Sequence, residues 1–256
     1  MNEEAIKDLV IEASKFVFDE SLKAEISMKG EADFVTAVDL KISSFIKERL
    51  KALTPEVGFM SEEEEGALSP CRWILDPIDG TTNLVYDYRL SSVSLAYFDG
   101  ERVTYGVVYN PFTKELFEAK RGEGVRYNGR LLPKAADREP ADCLIEFGAG
   151  STKKQYTEEH FAIAKDVFST CLDIRRMCSS ALAIAYVAAG KLNGYFERVI
   201  KPWDYAAATL MLEECGGVAT DWSGAPGPYD RASSYVCGTP KAYAVLMESI
   251  KRHHRD

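Results

Sequence analysis

Residues 72–83 constrain the fold of this chain more than any other stretch, because they join an apolar run to two carboxylates and then to a pair of hydroxyls. The apolar residues 73–75 predict a short buried strand, and Asp79-Gly80 predicts the turn that follows it. Thr81 or Thr82 is then expected to cap a helix. The start of a helix offers unpaired amide groups to an anion, so the stretch predicts a phosphate-binding site.

Two aspartates in this stretch, Asp76 and Asp79, would by themselves repel a phosphate. A divalent cation between them would turn this repulsion into attraction, since hard cations such as Mg2+ bind carboxylate, carbonyl and phosphate oxygens. An Asp-Gly pair alone usually marks a surface turn, and Asp99-Gly100, between two alternating runs, predicts such a hairpin. The stretch from Asp76 to Thr81 differs because the whole pattern Asp-Pro-x-Asp-Gly-Thr is present.

This pattern resembles the signature of the inositol monophosphatase family. Members of that family are lithium-sensitive, Mg2+-dependent phosphomonoesterases, and they include fructose-1,6-bisphosphatases and adenosine 3',5'-bisphosphate phosphatases. Upstream, the order Asp-x-Val-Thr-x-x-Asp at residues 33–39 is similar to the family's arrangement. Downstream, Trp203-Asp204, an alanine-rich run and the Glu-x-Gly-Gly at residues 214–217 resemble the family's second signature. The resemblance covers nearly the full chain.

The resemblance implies a set of metal ligands. Glu62, Asp76 and the Ile78 carbonyl are expected to hold one Mg2+, while Asp76, Asp79 and Asp204 hold a second. Two ions about 3.5–4 Å apart can clamp both the attacking and the leaving oxygen of an in-line displacement. A third, weaker Mg2+ near Glu62 is also implied, so two or three ions are expected in each site.

The acidic run at residues 62–65 leaves one ligand open. Four consecutive acids usually form a solvated loop. This run, however, follows the predicted strand at residues 57–60 and precedes Asp76. The resemblance selects Glu62, the first acid after the strand, but Ser61 stands where the family more often has Gly. Glu63 therefore remains the alternative ligand.

Catalytic and phosphate-binding roles are likewise implied by the resemblance. Asp39, Thr81 and Glu62 are the expected catalytic residues, with Thr81 and Asp39 orienting a water and relaying its proton. The amides of Gly80 and Thr81 are expected to hold phosphate oxygens. Read locally, Asp39 is a helix cap instead, and Asp204 is the N-cap of its own helix. The sequence contains no Arg-His-Gly, and no cysteine has an arginine six positions later, so direct attack by water is preferred.

Residues around the remainder of the substrate decide which phosphate ester is hydrolysed. Glu197, seven residues before Asp204, matches a family position that contacts substrate hydroxyls, and a carboxylate there suits a polyol. Arg175 and Arg176 lie where the family shapes the rim of the site. They are expected either to hold a distal phosphate or to make ordinary ion pairs.

The primary expectation is therefore a sugar or polyol phosphate monoesterase that accepts inositol 1-phosphate. Fructose-1,6-bisphosphatase activity, alone or in addition, is the leading alternative. An adenosine 3',5'-bisphosphate phosphatase and a non-catalytic ligand-binding member of the family are the further alternatives. The expected small-molecule partner is in each case a phosphorylated metabolite.

The hydrophobic pattern predicts the order of elements. Amphipathic helices are expected at residues 3–26 and 33–53, and antiparallel strands after the central motif. The second half alternates strand and helix, as α/β layers do. A polar segment near residues 131–142 predicts a boundary between an α+β domain, 1–135, and an α/β domain, 136–256. The resemblance implies a layered αβαβα sandwich of the inositol monophosphatase and fructose-1,6-bisphosphatase type, and a homodimer.

Composition excludes several other classes. A net charge of −9 and a pI of about 5.1 disfavour binding to nucleic acid or to an anionic membrane surface. No apolar run approaches the roughly 20 residues that span a bilayer. The six cysteines form no CxxC pair and the N-terminal residues show no signal-peptide pattern, so reduced thiols and a cytoplasmic location are expected. His160 is the one histidine outside the C-terminal residues, which argues against a histidine-rich zinc site.

Overall fold

The computed structural model describes residues 2–30, 33–64, 69–150 and 153–254. Its α-helices are α1 (Glu3–Ala13), α2 (Glu20–Ala24), α3 (Ala37–Leu53), α4 (Thr81–Val85), α5 (Thr157–Phe168), α6 (Ser180–Ala188), α7 (Pro202–Glu214) and α8 (Pro240–His253). Its strands are β1 (Ile26–Gly30), β2 (Asp33–Thr36), β3 (Gly58–Ser61), β4 (Arg72–Asp79), β5 (Ser92–Phe98), β6 (Val103–Asn110), β7 (Glu115–Lys120), β8 (Gly124–Tyr127), β9 (Arg130–Leu131), β10 (Leu144–Phe147), β11 (Asp173–Arg175), β12 (Gly194–Ile200), β13 (Val218–Thr220) and β14 (Ser233–Gly238).

The larger sheet has the strand order β3-β4-β5-β6-β7-β8-β9 in the described part of the chain. Strand β4 pairs in parallel with β3 and antiparallel with β5. Every residue of β4 is buried, as expected for a strand covered by helices on both faces of its sheet. The predicted hairpin around Asp99-Gly100 is confirmed, because β5 and β6 pair antiparallel on either side of it.

The smaller sheet has the order β11-β10-β12-β14-β13 among the described residues, with parallel pairing at β10 and antiparallel pairing at β14. A separate pair, β1 and β2, leads into α3. The predicted strand at residues 144–147 is confirmed as β10.

The five layers pack around three hydrophobic cores. The first lies between α1, α3 and one face of the larger sheet. The second holds α6 and α7 between the two sheets, and the third joins the smaller sheet to α5 and α8. Helix α6 reads Ser-Ala-Leu-Ala-Ile-Ala-Tyr-Val-Ala and is buried almost all round, as a middle-layer helix must be. The layered α/β sandwich is therefore confirmed.

Close approach of the middle layer to the larger sheet depends on small residues. A Cβ on Gly106 would lie 3.0 Å from the Cα of Ala207, so strand β6 has no room for a side chain where α7 crosses it. Because α7 packs against strands of both sheets, the proposed domains 1–135 and 136–256 share this layer. The boundary between them stays a prediction.

The predicted helix at residues 3–26 is wrong in its extent. Helix α1 passes into a 3-10 turn, Ser14–Phe18, and α2 begins separately after Asp19. Asp19 has an extended backbone, and its carboxylate accepts hydrogen bonds from the amides of Ser21 and Leu22, so it caps a new helix rather than continuing the first. From Ile26 the chain is a strand.

The second predicted helix begins later than residue 33. Residues 33–36 form β2, since Phe34 and Val35 suit a strand paired with β1, and α3 starts after Thr36. Its predicted end at Leu53 is confirmed. No helix in the described ranges is long and apolar enough to cross a membrane.

Candidate active site

The central motif lies where β4 leaves the larger sheet. Gly80 follows it with φ 90°, a left-handed conformation that favours glycine, and acts as the N-cap of α4. A Cβ on Gly80 would also lie 3.0 Å from the Leu90 carbonyl oxygen and 3.1 Å from that of Cys178. The predicted cap, Thr81 or Thr82, is therefore wrong, because Gly80 makes the turn and Thr81 begins the helix.

Asp76 is buried at the centre of a group of acids. Burial raises the pKa of its carboxyl well above the ordinary value, and the charges of Glu62, Asp79, Asp204 and Asp39 raise it further. Burial, followed by Glu62, also raises the pKa of Asp204 well above its ordinary range. The structure thus brings together four of the predicted metal-ligand side chains, from β4, α7 and the segment after β3.

Asp39 and Asp204 have the same position on their helices. Each is the third residue of its helix and accepts a hydrogen bond from the amide of the capping residue, Thr36 to Asp39 at 2.8 Å and Lys201 to Asp204 at 2.8 Å. The local interpretation of Asp204 as an N-cap is therefore wrong by three residues. One carboxylate oxygen of each side chain holds the helix start.

Thr81 connects Asp39 to the central motif. Its hydroxyl lies 3.2 Å from the second carboxylate oxygen of Asp39, Oδ1, and 3.0 Å from the Ile78 carbonyl oxygen, so its one proton can be donated to either acceptor. Burial raises the pKa of Asp39 to about 6, although hydrogen bonds from Thr36 and Thr81 oppose the shift. The pair Asp39–Thr81 can therefore accept and pass on a proton near neutral pH.

The structure places the two candidate acids after β3 in different surroundings. The amide of Glu62 bonds the Leu75 carbonyl at 3.3 Å, and its charge acts on Asp76 and Asp204. Glu63 instead raises the pKa of Asp39. Of the two, Glu62 is the acid whose charge acts on Asp76 and Asp204.

Asp79 has a structural role that sequence reasoning missed. It accepts hydrogen bonds from the amides of Ser180 at 2.9 Å, Ala181 at 3.1 Å and Leu182 at 3.4 Å, and from the hydroxyl of Ser179. A carboxylate from the larger sheet therefore caps α6, about a hundred residues further along the chain. These bonds oppose the effect of burial, which raises its pKa.

Next to the carboxylates is a cavity of about 290 Å³. Its lining comprises Thr82, Asn83, Glu146, Gly148, Ala149, Gly150, Arg176, Cys178, Ser179, Ser180, Tyr195 and Glu197. Glu197 accepts hydrogen bonds from Tyr195 at 2.5 Å and Ser180 at 3.3 Å, and burial raises its pKa to about 7. Arg176 lies on the lining, whereas Arg175 points to Asp173 in an exposed ion pair.

Two more lining residues were not predicted. Asn83 donates to the carbonyls of Leu90 and Met177, each at 2.7 Å, and so ties the central motif to the loop before α6. Glu146 lies buried on β10. Its sequence signal is a single acid between Ile145 and Phe147, which a strand pattern places on the opposite face from those apolar neighbours.

The donor set fits a hard divalent cation. The neighbouring acids that raise the pKa of Asp76 and Asp204 would be stabilised by a positive charge between them, and Mg2+ takes carboxylate and carbonyl oxygens. In the described ranges no three His, Cys, Asp or Glu side chains are gathered tightly enough to form a ready-made metal cluster. The carboxylates therefore lie close enough for their charges to raise the pKa of Asp76 and Asp204, but their oxygens do not converge on one point.

Comparison with known proteins finds relatives along nearly the whole chain. A family model described as "Inositol monophosphatase family" matches residues 2–255. The "Inositol-1-monophosphatase" of Rhizobium meliloti (strain 1021) is 37% identical over 238 residues, 92% of this chain and 89% of that protein. The "Nus factor SuhB" of Escherichia coli (strain K12) is 35% identical over 230 residues, 89% of this chain and 86% of that protein.

Solved structures share the fold over the same length. The extragenic suppressor protein suhB from Bartonella henselae has a TM-score of 0.88 at 32% identity, and the match covers 96% of this chain and 97% of that one. An IMPase/NADP phosphatase complexed with Mg2+ and phosphate has a TM-score of 0.84 at 25% identity, covering 97% and 96%. The resemblance seen in the two signatures is confirmed.

Proposed function

Since the chain belongs to the inositol monophosphatase family, we propose that it is a Mg2+-dependent phosphomonoesterase that hydrolyses a sugar or polyol phosphate. The observation that carries the proposal is that acids surround the buried Asp76: after burial itself, the charges of Glu62, Asp79 and Asp204 raise its pKa, and Glu62 and Asp79 likewise raise the pKa of Asp204. Folding does not require several acids around a buried carboxylate. Without a cation, their mutual repulsion destabilises the folded protein.

Glu62, Asp76 and the Ile78 carbonyl would hold one ion, and Asp76, Asp79 and Asp204 a second. When bound, Mg2+ supplies a water of lowered pKa and neutralises charge on the phosphate. A third ion near Glu62 belongs to the same proposal. Asp79 would keep its bonds to α6 while serving as a ligand, since among the described residues its Oδ1 accepts a bond from the Ser180 amide alone and keeps a lone pair for the cation.

Asp39 and Thr81 would orient the attacking water and take up its proton. With a pKa of about 6, Asp39 is mostly ionised at pH 7 and accepts a proton through the Thr81 hydroxyl at 3.2 Å. The charge of Glu62 acts on Asp76, and Glu62 would complete the catalytic group. The amides of Gly80 and Thr81, at the turn into α4, would bind phosphate oxygens.

Inositol 1-phosphate is the proposed substrate. Glu197 lines the cavity beside the carboxylates, and a carboxylate there accepts hydrogen bonds from hydroxyls but opposes a second phosphate. Arg176, on the same lining, favours the alternative of fructose 1,6-bisphosphate through a charge-assisted bond to the distal phosphate. Arg175 supports neither substrate because it pairs with Asp173.

A non-catalytic role is the competing proposal, and one observation favours it: a relative with 35% identity bears the name Nus factor SuhB. The buried acids argue for catalysis, because a purely binding role would not require them. The net charge of −9 also disfavours nucleic acid as a partner. A homodimer in the cytoplasm completes the proposal.

Phosphate release with and without Mg2+ tests this function. We expect Mg2+-dependent hydrolysis, inhibition by millimolar LiCl, and a higher kcat/KM for inositol 1-phosphate than for fructose 1,6-bisphosphate or adenosine 3',5'-bisphosphate. Preference for a bisphosphate would overturn the substrate assignment. Absence of release from every ester would favour the non-catalytic role.

A further inference from the structure

Glu146 is a buried carboxyl with one unused oxygen. The residue is 1% exposed, its Oε1 accepts a hydrogen bond from the Met177 amide at 2.8 Å, and its Oε2 has no hydrogen-bond partner among the described residues. An unpaired buried carboxyl oxygen destabilises the folded protein. A ligand that supplies a hydrogen-bond partner would therefore remove this unfavourable free energy.

The side chain faces the cavity because of the pleat of β10. Its neighbours Ile145 and Phe147 point the other way, into the core formed with α5 and α8. Glu146 is in register with Tyr195 on β12, and the Tyr195 hydroxyl bonds Glu197. Two strands therefore deliver two carboxyls and a phenol to one cavity wall.

We propose that Glu146 is a specificity-determining residue whose Oε2 hydrogen-bonds a ring hydroxyl of a polyol phosphate. This inference rests on the proposed function and narrows it to substrates with a hydroxyl on the side of the ring that faces β10. A hydroxyl fits this atom better than a phosphate, since it can both donate and accept. Burial raises the pKa of Glu146 to about 8, so the carboxyl holds its proton for much of the neutral range, and a hydroxyl suits either form.

The competing role is purely structural. Through Met177, Glu146 anchors the loop that leads into α6, and Asn83 holds the same loop from the other side through the Met177 carbonyl. Loss of a loop anchor would slow the hydrolysis of every substrate to the same degree. Loss of a hydroxyl contact would impair only substrates that carry the hydroxyl.

The test compares kcat/KM for inositol 1-phosphate with kcat/KM for p-nitrophenyl phosphate, whose ring has no hydroxyl. In Glu146→Leu the ratio of the two should fall by about tenfold, as for one lost hydrogen bond. Glu146→Gln keeps a polar atom at the Oε2 position and should hold the ratio within about threefold of the wild type. Arg175→Ala, the control, changes an exposed residue two positions before Met177 that does not line the cavity, and it should leave the ratio unchanged.

A ratio that stays constant in Glu146→Leu, with both substrates impaired alike, would overturn the assignment and leave Glu146 as a loop anchor. If the wild-type protein hydrolyses neither ester, the proposed function fails separately. Equilibrium binding of inositol 1-phosphate, measured by calorimetry with Mg2+, then tests whether Glu146 contacts the substrate. Binding weakened in Glu146→Leu but kept in Glu146→Gln supports the contact, whereas equal or absent binding overturns it.

Discussion

Asp79→Asn should destabilise the metal-free protein and Asp76→Asn should not, although both aspartates belong to the proposed metal site. Asp79 accepts three amide hydrogen bonds at the start of α6, and an asparagine there puts an NH2 group against at least one of these donors. Asp76 accepts one amide bond, from Ile78 at 3.0 Å, which an asparagine oxygen retains. Its charge is repelled by the surrounding acids.

The size of the difference follows from these contacts. Because the pKa of Asp79 is raised overall, its charge contributes no net stability, and the loss comes from the buried amide that faces the asparagine NH2 group, which costs about 1–3 kcal/mol without an acceptor. We expect Asp79→Asn to lose about 1–3 kcal/mol, which lowers Tm by roughly 2–12 °C in a protein of this size. Asp76→Asn should match or exceed the wild-type Tm because it removes a buried repulsive charge.

The assay is thermal unfolding in excess EDTA at pH 7, followed by circular dichroism, on the wild type and both variants. Similar losses of Tm in the two variants would refute the assignment of Asp79 as the cap of α6. A wild-type Tm in Asp79→Asn would do the same.

Three further predictions concern other parts of the site and the fold. Thr81→Ala should lower kcat about 100-fold with little change in KM, since the hydroxyl acts on the attacking water; a KM effect alone would make it a binding residue. Arg176→Ala should lower kcat/KM for fructose 1,6-bisphosphate about tenfold more than Arg175→Ala does, because only Arg176 lines the cavity; equal effects would contradict this placement. Glu115→Gln should cost about 2 kcal/mol at pH 7, because hydrogen bonds from partners that include Lys191 lower the pKa of Glu115 from 4.5 to about 2. That stabilisation is present above pH 4.5 and is lost as the pH falls to 2. The unfolding curves of the wild type and Glu115→Gln should therefore converge near pH 2. A difference in stability that does not change with pH would show that the charge of Glu115 is not the cause.

Features specified by local pattern were predictable from the sequence. The hairpin at Asp99-Gly100 was predicted because alternation and a turn pair act within a few residues. The layered fold followed from a resemblance carried by two short signatures. The early helix was misjudged because Asp19 competes for the backbone amides that would otherwise have continued it.

Contacts between distant parts of the chain were beyond sequence reasoning. Asp79 caps a helix about a hundred residues away, and nothing in its local pattern indicates that partner. Glu146 stands in a predicted strand, but alternation alone does not say whether its face meets solvent or the middle layer. The two arginines at 175 and 176 are equivalent in sequence, and the edge strand β11 separates their surroundings.

The most direct test of the account is phosphate release from inositol 1-phosphate by EDTA-treated protein as Mg2+ is restored. The wild type, Asp76→Asn and Asp204→Asn are compared, with circular dichroism to show that each is folded. We expect no release without Mg2+, saturable recovery in the wild type, and almost none in either variant, because each change removes a charged oxygen ligand from the group of acids around Asp76. Release that is independent of Mg2+, or undiminished in a folded variant, would contradict it.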